Sequence, residues 1–377
     1  MPAATDRLFR RRYGMPLLLA LCVASTTAAA QPHLSWNAPS SADSTRMLHK
    51  GYEYGSDAYN SPLTVLLNKG YDIFQLRGHP RNLTTFPYAN AWHHGVREVF
   101  QHPGAAVDRF GGWRRFARVE LLPLSTNRNE LNWFVNYTEH FLGGGLTMRL
   151  LDEWYRARGV PYPRLMAMVN TYAASVLNEI SEQPGIRLAS PGGVADLLVF
   201  DAAAILLFHW DQPTRFLTQT LQAADWSNQA AITLPNRQLQ NNGQYFTFKV
   251  PVGLARTRLF IRGGMGAQLG ISRKIGQAHH LSVAAGGDTE VREIDAQGHE
   301  TVTFAPGAGV YWDRNNSLLV SLTTSPAENL LAMNVYPGVL PGAGRKLGLW
   351  LVRTRQNAWR VGLVHRQSLG TGLGYGR

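Results

Sequence analysis

The chain has 377 residues, of which 45% are hydrophobic and 16% charged. That is enough for a buried core and about two domains, and it excludes both a disordered chain and a polytopic helical membrane protein. The formal net charge is +12 at pH 7, which points to anionic partners.

The N-terminus reads as an export signal. "RLFRRRYG" is a basic segment, "MPLLLALCVA" an apolar one, and "TTAAAQP" ends in small residues. Residues 1–30 are expected to be a signal peptide cut after Ala30. The apolar run is too short to span a bilayer. Cys22 is the only cysteine, and Leu21 before it disfavours lipidation. The processed chain then carries no thiol, which excludes disulfides and cysteine-ligated zinc. Export without cysteine points to a bacterial outer membrane, with the periplasm as the alternative. In that compartment the basic charge is expected to meet membrane lipid or lipopolysaccharide rather than nucleic acid. From Gly243 onward there are 15 Lys and Arg against 7 Asp and Glu, so +8 of the +12 lies there.

Residues 31–60 read as a linker rich in Ser, Pro and Ala. A helical domain is expected over 61–225. Ser61-Pro62 is an N-cap followed by Pro at N1, opening a short amphipathic helix. "YANAWHHGVREVFQHPG" reads as another short helix, stopped at Pro103-Gly104. Three stronger helices follow. The first runs from Glu130 to about Arg158, and the second is "YPRLMAMVNTYAASVLNEISEQPG". The third starts near Ser190-Pro191 and contains "GGVADLLVFDAAAILLF". A fourth helix is expected at Pro213.

From about residue 243 the apolar period changes to two. Leu259, Ile261, Met265, Ala267, Leu269 and Ile271 share one face, with Arg258, Arg262, Gln268 and Ser272 on the other. Eight candidate strands follow: 243–252, 257–272, 278–291, 299–312, 316–324, 329–337, 346–355 and 358–367. Their even number and length fit a closed antiparallel β-barrel over 230–377. The fold class expected is therefore α+β, a helical domain followed by a barrel of about eight strands. A soluble barrel or sandwich stays open as a reading, because Pro251 and Pro306 break the alternation. Tyr245, Trp312, Tyr336, Trp350 and Trp359 suit interfacial girdles or core alike.

Four side chains in the helical domain stand out. His140 lies mid-helix and is followed by Gly143, Gly144 and Gly145. Each glycine costs a helix about 1 kcal/mol relative to alanine, so close approach of a second helix is expected. Glu179 lies late in its helix, on a stripe with Tyr172, Ser175 and Glu182, and there it opposes the macrodipole. Glu182 reads as part of a solvated last turn. Asp196 suits the start of its helix. Asp201 follows five residues later, about 140° further round an α-helix, inside an apolar run where a lone carboxylate is costly. Together His140, Glu179, Asp196 and Asp201 suit a divalent metal, acid/base work or a polar network that fixes packing.

These blocks, "EHFLGGG", "SVLNEISE" and "GGVADLLVFDAAAILLF", resemble the VanZ-like group and its periplasmic relatives over roughly residues 133–208. The resemblance implies a membrane-associated protein with His140, Glu179, Asp196 and Asp201 at matching positions. Asn136 stands for the usual Asp, Tyr137 for the usual Lys and Ala203 for a common Gly, and the two aspartates are five rather than four apart.

The histidines at 79, 93, 94 and 102 form a second metal candidate that lacks a flanking acid. Two functions remain in view. One is an envelope protein binding lipid or another envelope component. The other is an envelope hydrolase acting on lipid or glycan phosphate through the His/Glu/Asp site.

Overall fold

The computed structural model describes residues 46–122, 132–182, 190–234, 236–294, 300–324, 329–366 and 371–376. The expected signal peptide lies outside them. Helices and sheet belong to one compact unit, Ala42–Arg377, so α+β describes the chain.

Helix α1 (Pro62–Asn68) starts where its cap predicts. Ser61 Oγ accepts from Thr64 N at 3.2 Å and Thr64 Oγ1 accepts from Ser61 N at 2.8 Å, a complete capping box. Ahead of it, the segment read as linker carries a one-turn helix, Gly55–Tyr59. The amides of Met47, Leu48 and His49 donate to the Glu153 carboxylate at 2.9, 2.7 and 2.8 Å. Three amide donors are what a buried carboxylate needs to stay paired.

The expected helix at 130–158 forms, but not as uniform α-helix. Asn136–Gly143 is wound as π-helix and leads into α2 (Gly144–Ala157). Helix α3 is Pro163–Glu182. Helix α4 spans Pro191–Leu207, opened by Ser190, whose Oγ accepts from Gly192 N at 3.1 Å. Its residues Asp196–Phe200 are also π-helical. Gly144 and Gly145 perform the role inferred from sequence, whereas Gly143 lies against Phe246 of the sheet. A Cβ on Gly144 would sit 3.2 Å from Asp201 Oδ1, and one on Gly145 would overlap the Phe208 ring. No single described helix is long and apolar enough to cross a membrane.

The sheet has thirteen strands in the order β1-β4-β5-β6-β7-β8-β9-β10-β11-β12-β13-β2-β3. The strands are β1 Ala224–Asp225, β2 Ala231–Leu234, β3 Gln238–Gln240, β4 Tyr245–Pro251, β5 Thr257–Gly264, β6 Gly266–Lys274, β7 His279–Ile294, β8 Glu300–Arg314, β9 Ser317–Thr324, β10 Asn329–Val335, β11 Leu347–Thr354, β12 Trp359–His365 and β13 Thr371–Gly376. The expected closed barrel of eight strands is corrected in two ways. The run 257–272 is two strands folded back at Met265, where Gly264 and Gly266 sit too close to neighbouring backbone for a side chain. And the ladder does not close: β1 and β3 are its edges. The reason is that β1 pairs with β4 while β2, a few residues on, pairs in parallel with β13. The covalent chain at 226–230 links β1 to β2, so these two strands lie within about 20 Å of each other. Neither edge is bare. On β3 Leu239 N donates to Arg81 O, and on β1 Asp225 O accepts from Ser56 Oγ at 2.9 Å.

The face that points inward carries many polar residues around a cluster of Phe260, Tyr311, Trp350, Val352 and Val364. Thr247, Lys249, Arg262, Gln268, Ser272, Ser282, Asp313, Ser321, Asn334 and Thr354 are all buried. Lys249 Nζ meets Asp313 Oδ2 at 2.6 Å, and Tyr311 OH donates to Gln268 Oε1 at 2.6 Å. Among the aromatics left open, Tyr245, Tyr336 and Trp350 are core, whereas Trp359 is exposed. The helices cover the outer face at β4–β5, where Phe246 and Phe248 pack with Leu146, Leu150, Ala174 and Phe208.

Replacing Gly145 tests the helix contact. Gly145→Ala gains about 1 kcal/mol of helix propensity yet collides with Phe208, and overpacking costs about 1–3 kcal/mol. A lower urea midpoint than wild type is expected. An unchanged or higher midpoint would show that the α2–α4 approach does not depend on this glycine.

Candidate functional site

All four expected residues meet in one place, between the π segment, α3 and α4. His140, Glu179, Asp196 and Asp201 are 4%, 1%, 2% and 1% exposed. His140 Nδ1 lies 3.1 Å from Asp201 Oδ2, and its Nε2 lies 3.6 Å from Asp196 Oδ2. The first distance is a hydrogen bond and the second is too long for one. Nδ1 thus faces the Asp201 carboxylate within hydrogen-bond distance, and Nε2 is turned toward Asp196.

The two aspartates flank one imidazole, which corrects the expectation that they face apart. The 140° separation assumes α-helical winding. Between them the helix is π-wound, and the Asp201 amide donates to the Asp196 carbonyl, an i→i+5 bond. One residue more per turn brings positions five apart onto the same side. A π segment on the facing helix carries His140 itself.

Lys69 is the residue that sequence reasoning missed. Its Nζ lies 3.6 Å from Asp201 Oδ1, both side chains being buried. Burial would push the Asp201 carboxyl up, but Lys69, His140 and a hydrogen bond from Ser175 outweigh it and hold the pKa below its ordinary value. Lys69 follows the end of α1 some 130 positions before Asp201, and no spacing rule links the two. Asp72, close by, is pushed well above the usual carboxylate range by burial and by Glu139, against the Gln244 amide and Lys69. Glu182, expected in a solvated turn, is buried and adds to the charge that Asp72 senses. The α3 stripe does face α4: Tyr172 OH donates to Leu197 O at 3.2 Å. Asn136, one turn before His140, donates to Glu120 O at 3.1 Å.

A cavity of about 10 Å³ beside His140 is lined by Lys69, Asp72, Glu139, Asn178 and Gln244. That is room for about one water. His140, Glu179 and Asp196 each offer a donor atom, and these atoms lie within 4.8 Å of one another. The histidine stretch also has an acid after all. Glu98, four residues after His94, sits 3.0 Å from His94 Nδ1 and 3.5 Å from His93 Nδ1, an i, i+4 pair legible in the sequence. No family model matches this sequence, and no curated protein or solved structure is similar to it.

Asp201→Asn removes the charge that Lys69 and His140 answer. Breaking a buried pair from one side costs about 3–5 kcal/mol. A loss of that size is expected in chemical denaturation at pH 7, and a change under about 1 kcal/mol would show that Asp201 is not the ionised partner.

Proposed function

We propose that this chain is a bacterial cell-envelope protein of the outer membrane whose sheet turns its outer face to lipid. The observation that carries the reading is the apolar outer face of the sheet, beside an inner face that carries many polar groups. A soluble half-buried sheet puts apolar residues inside and polar ones out, and a lipid-facing sheet does the reverse. Here one row of directly paired outward residues runs Val250, Leu259, Ile271, Val283, Val310, Leu322, Met333, Leu351, Val361, Tyr375, Leu234. Every one is apolar or aromatic. A second row continues through Leu281, Trp312, Val320, Val335, Leu349 and Leu363.

Ile271, Val283, Val310, Val361 and Tyr375 are 40–53% exposed, so these rows form a continuous surface rather than the scattered apolar residues of a soluble protein. On β8, Phe304, Pro306, Ala308, Val310 and Trp312 alternate with buried Ala305, Gly307, Gly309 and Tyr311. Eight residue steps of about 3.4 Å give a band about 27 Å long on that strand. With a tilt of about 40° its height approaches the roughly 25 Å apolar band of outer-membrane sheets.

A basic cleft supports an anionic lipid or lipopolysaccharide partner. Arg77, His79, Arg81, Arg355 and Arg360 line a space of about 480 Å³. Arg77 and Arg355 share Glu290 at 3.1 and 3.4 Å, which leaves the cleft strongly positive. The enclosed site at His140 has room for about one water, which favours an internal role over hydrolysis of a lipid or glycan.

The protein is expected to sediment with membranes after alkaline carbonate and to shift in gel migration on heating. A carbonate-soluble chain with no heat shift would overturn the reading. Val283→Arg puts a charge in the centre of the band and is expected to cost about 2–4 kcal/mol of stability in lipid. Replacing inward Ser282 by alanine is expected to leave membrane association intact, and equal loss in both variants would contradict the assigned faces. In the cleft, Arg355→Ala with Arg360→Ala is expected to weaken binding to phosphatidylglycerol vesicles by about 1 kcal/mol per residue, with no change for neutral vesicles.

A further inference from the structure

We infer that His140, Glu179 and Asp196 form a binding site for one divalent first-row metal ion. Three observations converge. The first is the donor set: one imidazole nitrogen and two carboxylates, all buried, with donor atoms within 4.8 Å of one another. An ion about 2.1 Å from each donor requires them about 3–4 Å apart. The Nε2 to Asp196 distance, 3.6 Å, already meets that.

The second observation is the placement of the histidine ring. A metal-bound imidazole donates its other N–H to a carboxylate, which fixes the ring and raises the basicity of the ligating nitrogen. Asp201 stands in that relation to His140 Nδ1 at 3.1 Å, and Lys69 balances the charge on Asp201. Asp201 is thus an orienting residue and not a ligand.

The third is the backbone around Glu179. A Cβ on Gly193 would lie 2.8 Å from Glu179 Oε2. The first turn of α4 therefore packs directly on the carboxylate, whose oxygen lies within 4.8 Å of the donor atoms of His140 and Asp196. The π turn at 196–200 and the π segment at 136–143 bring the remaining two donors to the same point.

The ligand chemistry selects the ion. Two carboxylates disfavour soft Cu(I), and the imidazole favours Zn²⁺, Fe²⁺ or Mn²⁺ over Mg²⁺ and Ca²⁺. Bound there, the ion joins the π segment, α3 and α4 through three side chains from distant parts of the chain.

The test uses the full chain in detergent, stripped with chelator and titrated calorimetrically with ZnCl₂, MnCl₂ and MgCl₂. One Zn²⁺ or Mn²⁺ per chain is expected, with Mg²⁺ far weaker. Glu179→Gln and Asp196→Asn each remove a ligand and are expected to abolish measurable binding. Asp201→Asn is expected to lower affinity about 10–100-fold, the effect of losing an orienting partner. His94→Ala, at the half-exposed His93/His94/Glu98 cluster, is expected to change nothing. If a ligand variant does not fold, Co²⁺ added to stripped wild type and to His94→Ala decides, by visible bands present equally in both. No ion bound by wild type, or binding lost with His94→Ala, overturns the assignment.

Discussion

The close approach of α4 to the glycines at 144 and 145 is the constraint from which the site follows. Side chains at these positions would hold the two helices apart, because a Cβ on Gly144 meets Asp201 and one on Gly145 meets Phe208. Their removal costs helix propensity and is offset by packing of Phe208 with Leu146 and Leu150. Only at this separation does Asp201 reach His140. The π turns then set the phase. Each shifts the residues after it around the helix axis, so that Asp196 and Asp201 address one ring from the same helix.

The sheet meets a different demand with the same economy of polar groups. Its inner face sets buried polar groups around an aromatic cluster of Phe260, Tyr311 and Trp350, and several of those polar groups are tied to one another. Lys249 answers Asp313, Arg262 stacks on Tyr245 with its guanidinium carbon 3.4 Å from the ring centre, and Gln229 reaches Val335 O and Leu349 O across the interior. Such a network is specific in a way that an apolar core is not, since each slip of register leaves a buried donor or acceptor without its partner.

Much of this was legible in the residues and some was not. The caps at Ser61-Pro62 and Ser190-Pro191, the change to period two near 243 and the glycine tract that admits a second helix all rest on local rules, and the structure follows them. The reading of Asp196 and Asp201 as facing apart failed because it took one helical period throughout, whereas π winding depends on tertiary packing. The hairpin at Met265 was hidden by glycines on both sides, which leave no side chains to mark the change of direction. β1, β2 and β3 are two to four residues long, too short for any period to register. β13 alternates Leu373 and Tyr375 with glycines over only six residues, a pattern that glycine's low strand propensity masks. Lys69 illustrates the general limit: a partner far away in sequence is chosen by topology.

The placement of β2 beside β13 has a consequence for assembly. Tyr375 pairs with Leu234 across about 140 residues of chain, whereas nearly every other strand pairs with a sequence neighbour. Hairpins β4 through β12 can form as successive local reversals, but this parallel contact pays its loop-closure entropy last. Until it forms, β2 and β13 each expose a row of backbone hydrogen-bonding groups, next to outward apolar rows that water cannot favour. The stretch between the first docking of the hairpins and that final pairing is therefore the interval in which the chain is most open to association with copies of itself.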